Sequence, residues 1–182
     1  MVDWGLTIAI AVATVLAVKA WVINPYRIPS SSMEPTLHCA APEPGCESGA
    51  SDRVLANRFV YRFQDPERGD IVVFETPADA ELVCPGPGGV FVKRLVGLPG
   101  DTVEIRGDQL FLNGEPYPEP YVYGGDVGSE FGPVVVPEGQ YFMMGDNRYQ
   151  SCDSREWGAV PRENLIGPVF ALYWPLPRLG FR

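Results

Sequence analysis

Val90-Phe-Val-Lys-Arg-Leu-Val96 is the most apolar β-patterned run of the chain, and it holds one of only two lysines among 182 residues. Alternation with a period of two turns Lys93 to one face of the expected strand and Val92 and Arg94 to the other. A lone lysine in such a run is either a guard against edge-to-edge aggregation or a functional amine. Outward from it, residues 54–61, 70–74, 102–105, 109–112, 140–144 and 169–174 are further short runs rich in branched and aromatic residues, separated by turn formers. Gly107-Asp108 reads as a hairpin turn between two of them, and Asn113-Gly114 supplies another turn directly after. The 20 glycines and 19 prolines interrupt the chain too often for long helices. Residues 39–51 and 76–89 are Pro/Gly-rich loops, and each contains cysteine. The pattern predicts a mainly β domain over residues 25–182.

Residues 1–24 are a different material. Between residues 4 and 22 only Gly5, Thr7, Thr14 and Lys19 interrupt the apolar side chains. As a helix this run rises about 28 Å, enough to cross a bilayer. Lys19 can snorkel to the interface, and Trp4 and Trp21 stand where aromatic anchors belong. Bulky Trp21-Val22-Ile23-Asn24-Pro25 follows where a removable leader would need small residues, so the segment is read as an uncleaved anchor. Lys19 and Arg27 both follow the helix, and the positive-inside rule by itself would leave the body in the cytoplasm. The net charge is −9, and since the anchor holds one Asp and one Lys, all of it belongs to the body. Such a surface repels phosphates, and nucleic acid is excluded as a partner.

The chemistry narrows by elimination. His38 is the single histidine, which excludes multi-histidine zinc sites. No serine has the Gly-x-Ser-x-Gly surroundings of a nucleophile elbow, and Leu16 and Val90, not serines, stand three before the lysines. Cys39, Cys46, Cys84 and Cys152 lack zinc-ribbon spacing. What survives is a serine activated by a distant lysine, whose amine loses its proton readily once desolvated. Neither a metal nor a cofactor is expected.

Ile28-Pro-Ser-Ser-Ser-Met-Glu-Pro-Thr-Leu37 resembles the nucleophile motif of bacterial type I signal peptidases, or leader peptidases: a serine followed by Met, any residue, Pro and Thr. Arg68-Gly-Asp-Ile-Val-Val-Phe74, Val92-Lys-Arg-Leu-Val-Gly-Leu-Pro-Gly-Asp101 and Gly145-Asp-Asn-Arg-Tyr-Gln-Ser-Cys-Asp-Ser-Arg155 resemble the family's three later motifs, in the same order. The resemblance implies a signal-peptidase-like, β-rich catalytic domain behind one N-terminal transmembrane helix, on the extracytoplasmic face of the cell membrane. It overrules the charge signal of Lys19 and Arg27. The activity implied is that of a serine endopeptidase removing signal peptides from exported preproteins, after small residues at positions −1 and −3. Ser32 becomes the nucleophile and Lys93 its general base, with the Ser30 hydroxyl and the Ser32 backbone N–H as the oxyanion hole. Ser151 resembles the serine that orients the lysine amine, and Asp146, Asp153 and Arg155 resemble a supporting ion-pair shell. Tyr26, Ile28, Pro29, Met33, Leu37 and Val92 flank the motifs at positions of the substrate-pocket wall, with core packing as their plainer role. The sequence departs from the family's pattern at Ser31, in place of a common glycine, at Tyr149-Gln150 and at Glu156. His38, six residues after Ser32, has no motif acid behind it.

An extracytoplasmic location permits disulfides, and four cysteines allow three complete pairings. Cys39 and Cys46 enclose a short Pro/Gly loop and are the first choice of pair. Cys84 and Cys152 are read equally as a bridge between the loop before Lys93 and the loop of Ser151, or as two buried thiols. Two rivals of other classes are a self-cleaving cytoplasmic repressor and a non-enzymatic β-domain. The first lacks DNA-binding helices here, and intact Ser32 and Lys93 argue against the second.

Overall fold

The computed structural model describes residues 4–84, 89–107, 109–122 and 130–181, the side chains of residues 16–21 and 81 excepted. Helix α1 (Trp4–Trp21) leads into a body of short strands. Among the described residues an eight-stranded sheet has the order β1 (Ile23–Arg27), β2 (Arg53–Asn57), β11 (Leu165–Trp174), β3 (Ile71–Glu75), β4 (Val90–Gly97), β9 (Gln140–Met144) and β10 (Val160–Pro161), with β12 (Gly180–Phe181) on β11. A four-stranded sheet runs β7 (Glu115–Pro116), β6 (Gln109–Leu112), β5 (Thr102–Arg106) and β8 (Phe131–Val135). All pairings between named strands are antiparallel.

The larger sheet is covered on both faces, which is why its central strands are continuous apolar runs rather than alternating ones. On β3, Ile71 and Val73 enter one core cluster with Ile28, Met33, Leu37, Val54 and Val169. Val72 and Phe74, pointing the other way, join Leu95, Met143, Trp157 and Val160. Gly97, where β4 bends, admits no side chain: a Cβ there would lie 2.9 Å from both Phe142 and Val103. Beyond it Val96, Val103, Leu110, Phe142 and Met144 form the core between the two sheets.

Some boundaries differ from the sequence expectation. The strand expected over 54–61 ends at Asn57, whose side-chain oxygen accepts the N–H groups of Phe59 and Val60 and folds the chain into a turn. Within the loop expected over 76–89, Ala78–Val83 form helix α2, seated by the fully buried Ala80. The hairpin β5–β6 forms in the register Arg106↔Gln109, while Asp108 of its expected turn lies outside the described residues. The side chains of Lys19 and Trp21 lie outside them too. Among the described residues no helix is long and apolar enough to cross a membrane. Along α1, Trp4, Leu6, Ile8, Ile10, Val12 and Val15 are all exposed.

Disulfides join Cys39 to Cys46 and Cys84 to Cys152, with Cα separations of 5.1 and 5.9 Å. The second ties the end of α2, just before β4, to the loop after β9.

Candidate active site

Ser32 sits in a tight turn, Ser31–Met33, reached from β1 through the buried Ile28 and the extended Ser30. Met33 and Leu37 sink into the first core cluster and fix this turn by packing. Strand β4 carries Lys93 at a central position, paired with Val72 of β3, and the next residue, Arg94, pairs with Met144 of β9. Two neighbouring strands thus hold the lysine backbone. The Lys93 Nζ donates to Ser32 Oγ at 2.6 Å, and Ser30 Oγ lies 3.3 Å from the same oxygen. Ser32 and Lys93 are only 6% and 5% exposed. Desolvation pushes the Lys93 pKa down to about 8, although the Asp153 and Asp146 carboxylates pull it upward; Arg155 adds a smaller downward push. An amine so placed is uncharged often enough near neutral pH to accept a hydroxyl proton.

Both carboxylates are fully buried and each is met by a guanidinium. Arg155 binds Asp153 through Nε at 2.8 Å and Nη2 at 2.9 Å, and Asp153 also accepts the Gly145 N–H at 3.0 Å. The same guanidinium donates to the carbonyls of Arg148 and Ser151, so it shapes the loop between them. Asp146 receives Arg94 Nε at 2.8 Å, Arg94 Nη2 at 2.6 Å and the Thr36 hydroxyl at 2.6 Å. Paired forks of this kind give fixed geometry as well as charge balance. Asp146 therefore links three motifs: its own, that of Lys93 through Arg94, and that of Ser32 through Thr36.

Of the expected residues, the structure brings Ser30, Ser32 and Lys93 together directly, with Asp146, Asp153 and Arg155 around them. Ser151 is adjacent, but its hydroxyl is buried without a hydrogen-bond partner and makes no bond to the Lys93 amine. The pocket-wall set divides. Ile28, Met33 and Leu37 are core residues, Leu37 without exposed surface, whereas Tyr26 and Val92 are half-buried against the same cluster and Pro29 is exposed. His38 has an acid after all: its Nδ1 pairs with Glu34 Oε2, while the Ser32 hydroxyl meets Lys93 and Ser30. A cleft of about 420 Å³ between Arg58, Tyr61, Arg162 and Ile166 shares no residue with this site.

Four contributors were not legible beforehand. Arg94 and Thr36 stand inside quoted motifs, yet nothing in the sequence pairs them with Asp146. Asn147 donates its N–H to the Ser32 carbonyl at 3.1 Å. Gly145 leaves room for two serines: a Cβ there would lie 2.3 Å from Ser151 Oγ and 2.5 Å from the Ser32 carbonyl oxygen.

Comparison with known proteins gives the family. The family described as signal peptidase, peptidase S26, matches residues 1–174. The chain is 42% identical to a probable signal peptidase I-2 of Synechocystis over 98% of its own length and 75% of the relative's. It is 37% identical to a signal peptidase I of Bacillus amyloliquefaciens, covering 95% of this chain and 85% of that one. A crystal structure of a signal peptidase I from Enterococcus faecalis aligns with a TM-score of 0.47 and 34% identity, over 58% of this chain and 97% of the other. With a family match running through α1, the Ser31–Met33 turn, β4 and the Asp146–Arg155 loop, the chain belongs to the signal peptidase family, peptidase S26, and is a serine peptidase.

Proposed function

We propose that this peptidase is a membrane-attached signal peptidase I working through a Ser32/Lys93 dyad. The observation that carries the reading is the 2.6 Å contact between Lys93 Nζ and Ser32 Oγ in a sealed environment. With a pKa of about 8, roughly a tenth of Lys93 is neutral at pH 7. In that form the amine accepts the Ser32 proton as Oγ attacks the scissile carbonyl. The carbonyl oxygen, now an oxyanion, is received by the Ser30 hydroxyl and the Ser32 N–H, an arrangement in which one side-chain donor is typically worth about 3 to 4 kcal/mol. The Lys93 ammonium then protonates the leaving amine. It next deprotonates a water that attacks the acyl-Ser32 ester, and its proton returns to Oγ as the acid product departs. Arg94 and Arg155 neutralise Asp146 and Asp153, which would otherwise hold Lys93 protonated. Ser151 acts as the orienting hydroxyl for the amine when substrate is bound.

The substrate is the signal peptide of an exported preprotein, lying extended beside the nucleophile turn and cut after small residues at −1 and −3. Tyr26, Pro29 and Val92 offer it surface, over a floor of Ile28, Met33 and Leu37. Backbone pairing gives affinity and shallow pockets give selectivity, which suits substrates sharing little sequence. Helix α1, with exposed apolar side chains from Trp4 to Val15, holds the body of residues 25–182 at the outer face of the cell membrane. Incubation of detergent-solubilised protein with a preprotein, followed by mass spectrometry of both products, tests the reading. One cut after a small residue at −1 with another at −3 is expected; cuts scattered through the mature portion, or none, would refute it.

A further inference from the structure

Ser31 and Gln150 lie 119 residues apart in sequence and meet in the structure. The Ser31 hydroxyl faces the Gln150 side-chain amide at 2.5 Å and the Pro44 carbonyl at 3.1 Å. A hydroxyl has one proton to give, and the carbonyl can only accept it. Of the two acceptors the Gln150 side-chain oxygen, at 2.5 Å, takes that proton, and the Pro44 carbonyl lies further off. The Ser31 hydroxyl is thus held by the Gln150 side-chain oxygen, beside the Pro44 carbonyl.

The groups around this bond are themselves tied. Pro44 belongs to the loop closed by Cys39–Cys46. Gly45 beside it has φ +74°, and any Cβ there would sit 1.7 Å from Gln150 Oε1 and 2.7 Å from Ser31 Oγ, so the glycine keeps the position open for this contact. Gln150 ends the turn Arg148–Gln150, whose preceding residue, Asn147, donates to the Ser32 carbonyl. Ser31 opens the turn that contains Ser32. The two turns are thus fastened on one side by the Asn147 to Ser32 backbone bond and on the other by Gln150 to Ser31.

We infer that Gln150 is a positioning residue: its amide locks the nucleophile turn between the loop of Asp146 to Asp153 and the disulfide-closed loop of Pro44, and so sets where Ser32 Oγ lies relative to Lys93. This inference rests on the dyad proposed above. A small loss of alignment between nucleophile and base lowers the chemical step while leaving substrate contacts intact.

Steady-state processing of one preprotein should be measured for wild type, Gln150→Ala, Ser31→Ala and the double variant, each with a thermal melt. Gln150→Ala is expected to lower kcat about tenfold with KM within about twofold of wild type and the melting temperature almost unmoved. Ser31→Ala should do the same, and the double variant should be no slower than either single one, because both remove the same link. Gln150→Glu, whose carboxylate can still accept the Ser31 proton, should keep kcat within about twofold of wild type. An unchanged kcat in Gln150→Ala, or losses that multiply in the double variant, would overturn the inference. A separate arm needs no activity: the Asn147 amide should exchange its hydrogen at least about tenfold faster in Gln150→Ala. If wild type cuts no preprotein, the dyad reading fails on that ground, and unchanged Asn147 exchange would then overturn the positioning role independently.

Discussion

A buried amine beside a hydroxyl is a costly arrangement, and its energetics give the sharpest tests at the scale of single residues. Lys93 has a pKa of about 8 when folded against an ordinary 10.5. Between those values the unfolded chain binds the extra proton, so the Lys93 contribution to stability rises with pH from about 8 to about 10.5. Below pH 8 the buried charge costs about 3 kcal/mol relative to a free lysine. Lys93→Met should therefore abolish processing yet raise stability near neutral pH, by about 1 to 3 kcal/mol in denaturant unfolding, and remove that rise with pH. A Lys93→Met variant less stable than wild type would show that the amine is held at no cost. In kinetics, kcat/KM should climb through a limb near pH 8 as the amine becomes neutral, and a flat profile would contradict a lysine base. Gly145→Ala should reduce kcat at least about a hundredfold, because its methyl would meet the Ser32 carbonyl as well as the Ser151 side chain and only the serine can turn aside.

Among the elements, the ones legible in sequence are those whose own residues decide them. Ile71 to Phe74 and Phe142 to Met144 bury alternate side chains in different clusters, so an uninterrupted apolar run was signal enough. Strands β1 and β8 were not expected. Asn24 and Pro25 sit in one and Gly132 and Pro133 in the other, and only their places at the ends of the two sheets make these residues tolerable. The site divides in the same way. Ser32 and Lys93 stand in motifs that mark them, but the pairings of Asp146 with Arg94 and Thr36 join residues 52 and 110 apart and arise only from the sheet order. The leaning of Leu37 into the core likewise depends on what β2 and β3 supply. The disulfides differ in what they restrain: Cys84–Cys152 spans 68 residues and Cys39–Cys46 seven. On chain entropy alone, loss of the first should cost about 4 kcal/mol and loss of the second about 2.5. Paired Cys→Ala variants compared by urea midpoint check the order, and a larger loss for Cys39 and Cys46 would reverse the assignment of the long tether as the main restraint.

For the whole molecule, β1 is both the first strand of the large sheet and the continuation of α1, with the Arg58 N–H donating to the Val22 carbonyl where the two meet. A chain starting at Val22 should keep its fold and its activity on a soluble preprotein but no longer float with liposomes, whereas one starting at Ile28 should lose the edge strand and unfold. Flotation of the Val22 chain equal to that of the full chain would exclude α1 as the attachment. In cells, protease added to spheroplasts should digest the body after Asn24, and protection until the membrane is opened would put the body on the inner side. These tests concern where the peptidase works; the mechanism proposed for it rests on one pair of atoms. The most direct measurement is the rate of preprotein processing by wild type, Ser32→Ala, Lys93→Ala and Lys93→Arg, all shown folded by circular dichroism. Loss of all detectable processing in each of the three variants is expected, including Lys93→Arg, because a guanidinium stays protonated and cannot take the serine proton. Cleavage at the same bond by any one of them, at a rate near wild type, would contradict the Ser32/Lys93 dyad.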